Sequence, residues 1–241
     1  MNDHKIAFII CYNNETALSE CIHYLSHLEV PEGFETELLT IPDAPSMTAG
    51  YQEAMEASDA KYKIYLHQDV FVLYRFFLTD LLRIFRRSDM IGMIGMVGYQ
   101  RIASSGIMWT ETGIGNLYDS KETVNASHYE NYRYDPEQEG IHFVALIDGF
   151  LMATQYDIPW DTEHLHGFDF YDAFQSMRFI DAGYRIAVPG QFCPWCLHDA
   201  GPFSNLLHYG EPREEFLRLY KDHLGKTAEE LALLFPPHHG A

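Results

Sequence analysis

The sequence is short of positive charge. Only 16 Lys and Arg stand against 35 Asp and Glu, for a formal net charge of -19 over 241 residues. That balance argues against nucleic acid or an anionic membrane as partner, because both need a positive surface. It also makes an anionic small molecule a difficult ligand, unless a bound metal ion inverts the local field. No apolar run approaches the roughly 20 residues of a membrane span. The opening residues Met1-Asn2-Asp3-His4-Lys5 lack the basic-then-apolar plan of a secretion signal. Four cysteines, Cys11, Cys21, Cys193 and Cys196, are too few to staple a chain of this length, so a reducing cytoplasm is the expected compartment. The dinucleotide fingerprint Gly-x-Gly-x-x-Gly is missing after the first apolar run.

What is present is a core: 47% of residues are hydrophobic, enough for one large domain. Ile6-Ala7-Phe8-Ile9-Ile10-Cys11 is a continuous apolar run and predicts a buried parallel strand. The polar turn Tyr12-Asn13-Asn14-Glu15 follows. Leu18, Cys21, Ile22, Leu25 and Leu28 then keep helical spacing, with Asn13 or Asn14 as N-cap. Glu37-Leu38-Leu39-Thr40-Ile41 predicts a second strand, and residues 46–55 a second helix capped by Ser46. A third strand ends in Ile64-Tyr65-Leu66, and the spacing of Phe77, Leu78, Leu81, Leu82 and Phe85 predicts a core-facing helix. Residues 91–98 read as one further buried strand. Alternation of this kind predicts an α/β fold with a mostly parallel sheet and helices on both faces.

Residues 99–140 lose periodicity and read either as a lid or binding loop or as a surface excursion. Order returns at residues 142–154, read as one apolar stretch punctuated by Asp148-Gly149. A helix is expected over residues 173–182, ended by Gly183, then a last strand at Tyr184-Arg185-Ile186-Ala187-Val188. Residues 211–234 read as an amphipathic helix, and Pro236-Pro237-His238-His239 as a frayed end. The expected organisation is one domain over 1–241, with residues 5–98 as its first half, 99–200 as its second and 201–241 as a helical tail.

The most informative stretch is Leu66-His67-Gln68-Asp69-Val70. An acid that interrupts an apolar strand at its carboxyl end is costly to bury unpaired, and that edge of an open α/β sheet is where ligands bind. Asp69 therefore reads as a divalent-metal ligand for a phosphorylated molecule, or else as a cap for the segment after it. Three other chemistries compete. A thiol redox pair at Cys193-Pro194-Trp195-Cys196 would sit late in the chain and after Pro189-Gly190, whereas such pairs open a helix early in a thioredoxin-like domain. Zinc on Cys193, Cys196 and His198 would have three ligands rather than four. A metal-dependent hydrolase could be built on Asp161, Glu163, His164, His166 and Asp169, against a solvated acidic patch as the alternative.

Taken together, the pieces resemble the GT-A fold, and specifically the glycosyltransferase-like relatives of glycosyltransferase family 2, over about residues 5–200. Ile9-Ile10-Cys11-Tyr12-Asn13-Asn14-Glu15 resembles the first strand and nucleotide-contacting turn. Tyr51-Gln52-Glu53-Ala54 resembles a helix that usually carries Asn where Gln52 stands. His67-Gln68-Asp69 resembles a variant of the Asp-x-Asp metal motif, and Asp148-Gly149 the acceptor-side strand. His166-Gly167-Phe168-Asp169-Phe170-Tyr171-Asp172, with Ser176, Arg178 and Gly183-Tyr184-Arg185, is similar to the catalytic segment. The resemblance implies a Rossmann-type sheet with a smaller acceptor-side lobe. It implies a glycosyltransferase using a nucleoside diphosphate sugar, UDP-linked, and an acceptor such as a saccharide. It implies Mn²⁺ or Mg²⁺ on Asp69 and His198. Cys11, Tyr12, Asn13, Glu15, Tyr51, Gln52, His67 and Gln68 would contact the donor. Asp172 would be the general base of an inverting transfer, with Asp148 and Asp169 as further catalytic carboxylates. Two departures stand out. His67 replaces the first acid of Asp-x-Asp, which gives it a nucleotide or water contact rather than the metal. Phe174 replaces a second acid after Asp172. A protein of this fold that binds a nucleotide sugar without turnover is the alternative.

Overall fold

The computed structural model describes residues 1–123, 126–133, 140–200 and 208–236. The first half alternates strand and helix: β1 (Asn2–Tyr12), α1 (Glu15–Leu25), β2 (Glu35–Pro42), α2 (Met47–Ala57), β3 (Ala60–Leu66), β4 (Val70–Val72), α3 (Phe77–Phe85), β5 (Ile91–Gly95) and β6 (Val97–Tyr99). The second half contains β7 (Gly113–Thr123), β8 (Ala126–Arg133), β9 (Ile141–Val144), β10 (Leu146–Ile147), β11 (Leu151–Thr154), α4 (Tyr171–Asp181), β12 (Arg185–Pro189), β13 (Cys196–His198), α5 (Gly210–Leu219) and α6 (Ala228–Leu234).

The main sheet has the order β2-β1-β3-β11-β5-β12-β9. β1 runs parallel to β2 and β3, and β12 parallel to β5. β11 lies antiparallel between β3 and β5, so those two share a direction, and β9 is antiparallel at the edge. The sheet is therefore mostly parallel by strand direction, as expected. Alternate residues of β1 feed opposite faces, which is the period-2 rule of a strand. Ala7, Ile9 and Cys11 join the core formed with α2 and α4. Ile6, Phe8 and Ile10 join the core formed with α1 and α3. The expected caps hold: Asn14 accepts from the backbone N–H groups of Thr16 and Ala17, and Ser46 from Ala49. Gly183, at φ +85°, ends α4 in the left-handed conformation that favours glycine.

Four local expectations are corrected. Residues 91–98 are not one strand: the chain leaves the main sheet at Met96 and enters a second sheet as β6. Residues 142–154 likewise divide into β9, β10 and β11, with β10 paired to β6. An unbroken apolar run gives no sign of a change of sheet. Residues 99–140 carry a long hairpin, β7 with β8, rather than only loop. β7 also joins β6 and β13 into the second sheet, β10-β6-β7-β13-β4. The tail is two helices, broken at Gly225 (φ +74°) and restarted by a reciprocal capping box between Thr227 and Glu230. The frayed end expected at residues 237–239 lies outside the described residues, as does the start of the expected tail, 201–207.

The main sheet contains one buried cation. Lys63 on β3 is fully buried, and its Nζ donates to the Ala60 carbonyl at 2.7 Å and to Asp157 Oδ1 at 2.8 Å. Breaking such a pair strands the remaining charge. Asp157→Ala is expected to cost about 3 kcal/mol in urea unfolding, the low end for a buried pair because Asp157 reaches solvent. Lys63→Met combined with Asp157→Ala should recover most of it.

Candidate active site at the carboxyl edge of the sheet

β1 and β3 are parallel neighbours, so the turns after them meet at one edge of the sheet. Gln68 fastens the two turns together. Its Oε1 accepts from the N–H of Asn13 at 3.0 Å and of Asn14 at 2.9 Å, while its Nε2 donates to Asn13 Oδ1 at 2.8 Å. Beside this clamp lies a cleft of about 320 Å³, lined by Cys11, Tyr12, Asn13, His67, Gln68 and Asp69 with Asp43, Ala44, Met47 and Phe168. Six residues proposed from sequence thus meet there. Three others expected to contact the donor do not. Glu15 is exposed and lines a separate, open depression with Thr16, Ser19, Glu20 and His23. Tyr51 is fully buried among Tyr65, Trp160 and Tyr171. Gln52 accepts from the Trp160 N–H at 2.7 Å and donates to Glu56, which ties α2 to the chain following β11. A helical aromatic and amide look alike in sequence whether they face a ligand or the core. Asp43 was missed, although the loop after a parallel strand at this edge is where a lining residue belongs.

His67, Asp69 and His198 come together although 131 residues separate the two histidines. β13 pairs antiparallel with β4, opposing His198 to Val70, and the Asp199 N–H donates to the Asp69 carbonyl at 2.8 Å. Asp69 Oδ1 stands 3.6 Å from His198 Nε2 and 3.9 Å from His67 Nδ1. It is buried without a hydrogen-bond partner among the described residues. One donor atom from each of the three residues lies within 4.8 Å of the others, a grouping able to hold a metal ion. Burial and the nearby His198 push His67 down to about 4, which keeps a neutral imidazole. Burial alone would raise Asp69, but His198 and then His67 outweigh it and hold the carboxyl below its usual range. His198 is raised: burial opposes this, and Asp69, Asp148 and Asp119 prevail. An imidazole–imidazole–carboxylate set with an orphaned carboxylate oxygen fits a divalent cation.

The three acids proposed for catalysis sit differently. Phe170, in the left-handed conformation at φ 64°, is the N-cap of α4, so Asp172 is not the cap but a residue of the first turn. Its Oδ2 accepts from the Gly149 N–H at 2.9 Å and its Oδ1 from Ala173 at 2.7 Å. Burial first, then the charge of Asp148, push its carboxyl up to about 7 against those two N–H groups. Asp148 is also raised by burial, with His198 opposing. Asp169 faces a neighbouring cavity of about 680 Å³, also lined by Phe168, His164, His166, His208 and Glu211. His164, His166 and Asp169 of the hydrolase cluster line that cavity, but among the described residues the cluster's donor atoms do not gather around one point. Asp161 is consumed by the N–H groups of Glu163 and His164, the His164 ring at 3.0 Å and Arg178 at 3.6 Å.

Nor do the cysteines form a site. All four are free; Cys193 is exposed and Cys196 is buried in β13, with its thiol raised by burial. Trp195 between them stacks on Tyr74, ring centroids 4.9 Å apart, so the segment is packed against the chain after β4. Cys193→Ser should leave the thermal midpoint unchanged, with or without reductant. Cys196→Ser should lower stability by about 1–3 kcal/mol, because it buries a hydroxyl.

Residues 7–220 match the glycosyltransferase-like family. No curated protein sequence matches the chain. Among solved structures, the mannosyltransferase PcManGT from Pyrobaculum calidifontis in complex with GDP-Man and Mn²⁺ superposes with a TM-score of 0.58. The identity is 10%, over 97% of this chain and 69% of that one. S. aureus TarS gives a TM-score of 0.50 at 12% identity, over 81% of this chain and 60% of that one. The chain thus spans about 60% of the length of the TarS structure. At these identities the shared property is the GT-A-like fold.

Proposed function

The chain belongs to the glycosyltransferase-like family, and from that premise we propose that it transfers a sugar from a UDP-linked donor to an acceptor hydroxyl with inversion. The observation that carries this is the orphaned Asp69 Oδ1 between two imidazoles at the mouth of the cleft. Asp69, His198 and His67 would hold the ion, and its chemistry there would be to stabilise the charge on a departing diphosphate. Two imidazole ligands suit Mn²⁺ better than Mg²⁺. Here His67 acts as a ligand, not only as the nucleotide or water contact its place in the motif suggests.

The remaining roles belong to side chains of the chain itself. Cys11, Tyr12, Asn13 and Met47 flank the nucleotide. The exposed Asp43 offers an acceptor for a base N–H or a ribose hydroxyl. Gln68, whose amide is spent on the turn after β1, shapes the cleft rather than contacting the donor. A cleft of about 320 Å³ is at the small end for ligand sites, which favours a pyrimidine base. The acceptor, a saccharide or other polyol, enters from the cavity beyond Phe168. Asp172 takes the proton of the attacking hydroxyl in one displacement. Among the described residues no helix is long and apolar enough to cross a membrane.

Calorimetry with UDP and with GDP, each with and without Mn²⁺, tests the donor assignment. UDP should bind more tightly and only with metal. Tighter GDP binding would transfer the assignment to a purine donor. Release of free sugar from a UDP-sugar panel then separates an enzyme from a protein that only binds.

A further inference from the structure

His67 is held by more than its place after β3. Its Nε2 hydrogen-bonds the Tyr171 hydroxyl, while its Nδ1 faces His198 Nε2 at 3.4 Å and Asp69 Oδ1 at 3.9 Å. A neutral imidazole carries one N–H. With that proton on Nδ1, His67 has no lone pair to offer the site. With it on Nε2, donated to Tyr171 Oη, the Nδ1 lone pair joins Asp69 and His198. Tyr171 is buried at the start of α4.

The hydroxyl reaches His67 because residue 149 has no side chain. A Cβ on Gly149 would lie 2.3 Å from Tyr171 Oη and 2.5 Å from its Cζ. The same short turn touches three other residues of the centre. Gly149 donates its N–H to Asp172, the Phe150 carbonyl accepts the His67 N–H at 3.0 Å, and the Phe150 ring stacks on His198 with centroids 5.4 Å apart.

We propose that Tyr171 is the positioning residue that fixes which ring nitrogen His67 presents to the metal, with Gly149 as the vacancy that lets it do so. This rests on the metal-site reading above and extends it to how the ligands are oriented. Partners of this kind beyond the ligands change metal affinity by about 10–100-fold when removed.

The test uses the full chain, with Mn²⁺ alone as the probe. Tyr171→Phe removes one atom and should weaken Mn²⁺ binding about 10–100-fold, with little change in the thermal midpoint of the metal-free protein. Gly149→Ala should weaken Mn²⁺ binding as well. The double variant should be no worse than the weaker-binding single, since both act through one contact. Imidazole ¹⁵N spectra of the metal-free protein add a readout that a merely structural role would not move. His67 should be the Nε2–H tautomer in the natural chain and a mixture in Tyr171→Phe. Unchanged Mn²⁺ affinity in folded Tyr171→Phe, or an Nδ1–H tautomer in the natural chain, overturns the proposal. The second readout needs no variant to fold. Asp69→Ala and His198→Ala keep the two readings apart. If both leave Mn²⁺ affinity intact, the metal site itself is lost. If both abolish it while Tyr171→Phe does not, only the role of Tyr171 is lost.

Discussion

Asp172→Asn is expected to lower kcat by roughly two to four orders of magnitude, the usual worth of a general base. Donor affinity should change by less than about twofold, because the missing proton transfer belongs to the transition state. The fold should survive. Asn keeps one oxygen acceptor for either the Gly149 or the Ala173 N–H, and it removes a carboxylate that burial disfavours. Because Asp172 is not the cap of α4, loss of capping offers no competing explanation for lost activity. The pH profile supplies a second check. A base works deprotonated, so turnover should rise with pH through about 7, the value to which burial and Asp148 lift Asp172. Stability moves the other way. The folded pKa lies above the ordinary carboxyl value of about 4. The contribution of Asp172 to stability is therefore fully present below about 4 and is lost as pH rises through about 7. Retained turnover in Asp172→Asn would move the role to Asp169 or Asp148.

Asp69→Ala should remove metal-dependent UDP binding, a loss of several kcal/mol in the presence of Mn²⁺. Without metal, neither protein should bind UDP. The substitution is well suited to a clean answer, because Asp69 Oδ1 makes no hydrogen bond that the variant would break. Folding should be preserved, with a small drop in midpoint from the lost charge contacts to His198 at 3.6 Å and His67 at 3.9 Å. Unaltered metal-dependent affinity in the folded variant would sink the metal assignment.

Much of this centre was legible because burial is written plainly in apolar runs. β1 holds the unbroken run Ile6–Cys11, β3 ends in Ile64-Tyr65-Leu66, α1 and α2 carry their caps, and Asp69 intrudes where an acid is expensive. What was hidden depends on distance across the fold. The grouping of His198 with Asp69 requires β13 to find β4, which no local period signals and only the family resemblance implied; His67 as a third member of the group was not expected. Tyr51 and Gln52 look like ligand contacts on a helix, yet α2 turns them toward Trp160. The hairpin of β7 and β8 escaped notice because its strands are rich in polar residues and Tyr. Phe170 as a left-handed cap violates the usual preference for Gly or Asn, so the start of α4 was placed two residues late.

The antiparallel β11 has a consequence for how the molecule is made. β3 and β5 are both translated before residue 96, yet neither is the other's neighbour; the strand that joins them is Leu151–Thr154. A chain cut after Tyr99 would expose the long edge of β3, whose backbone N–H and C=O groups would be free to template pairing with other chains. The first 98 residues therefore form a half only by function. During synthesis the nascent sheet must wait for residue 154 before its centre closes, and chaperone protection of that open edge is the expected requirement.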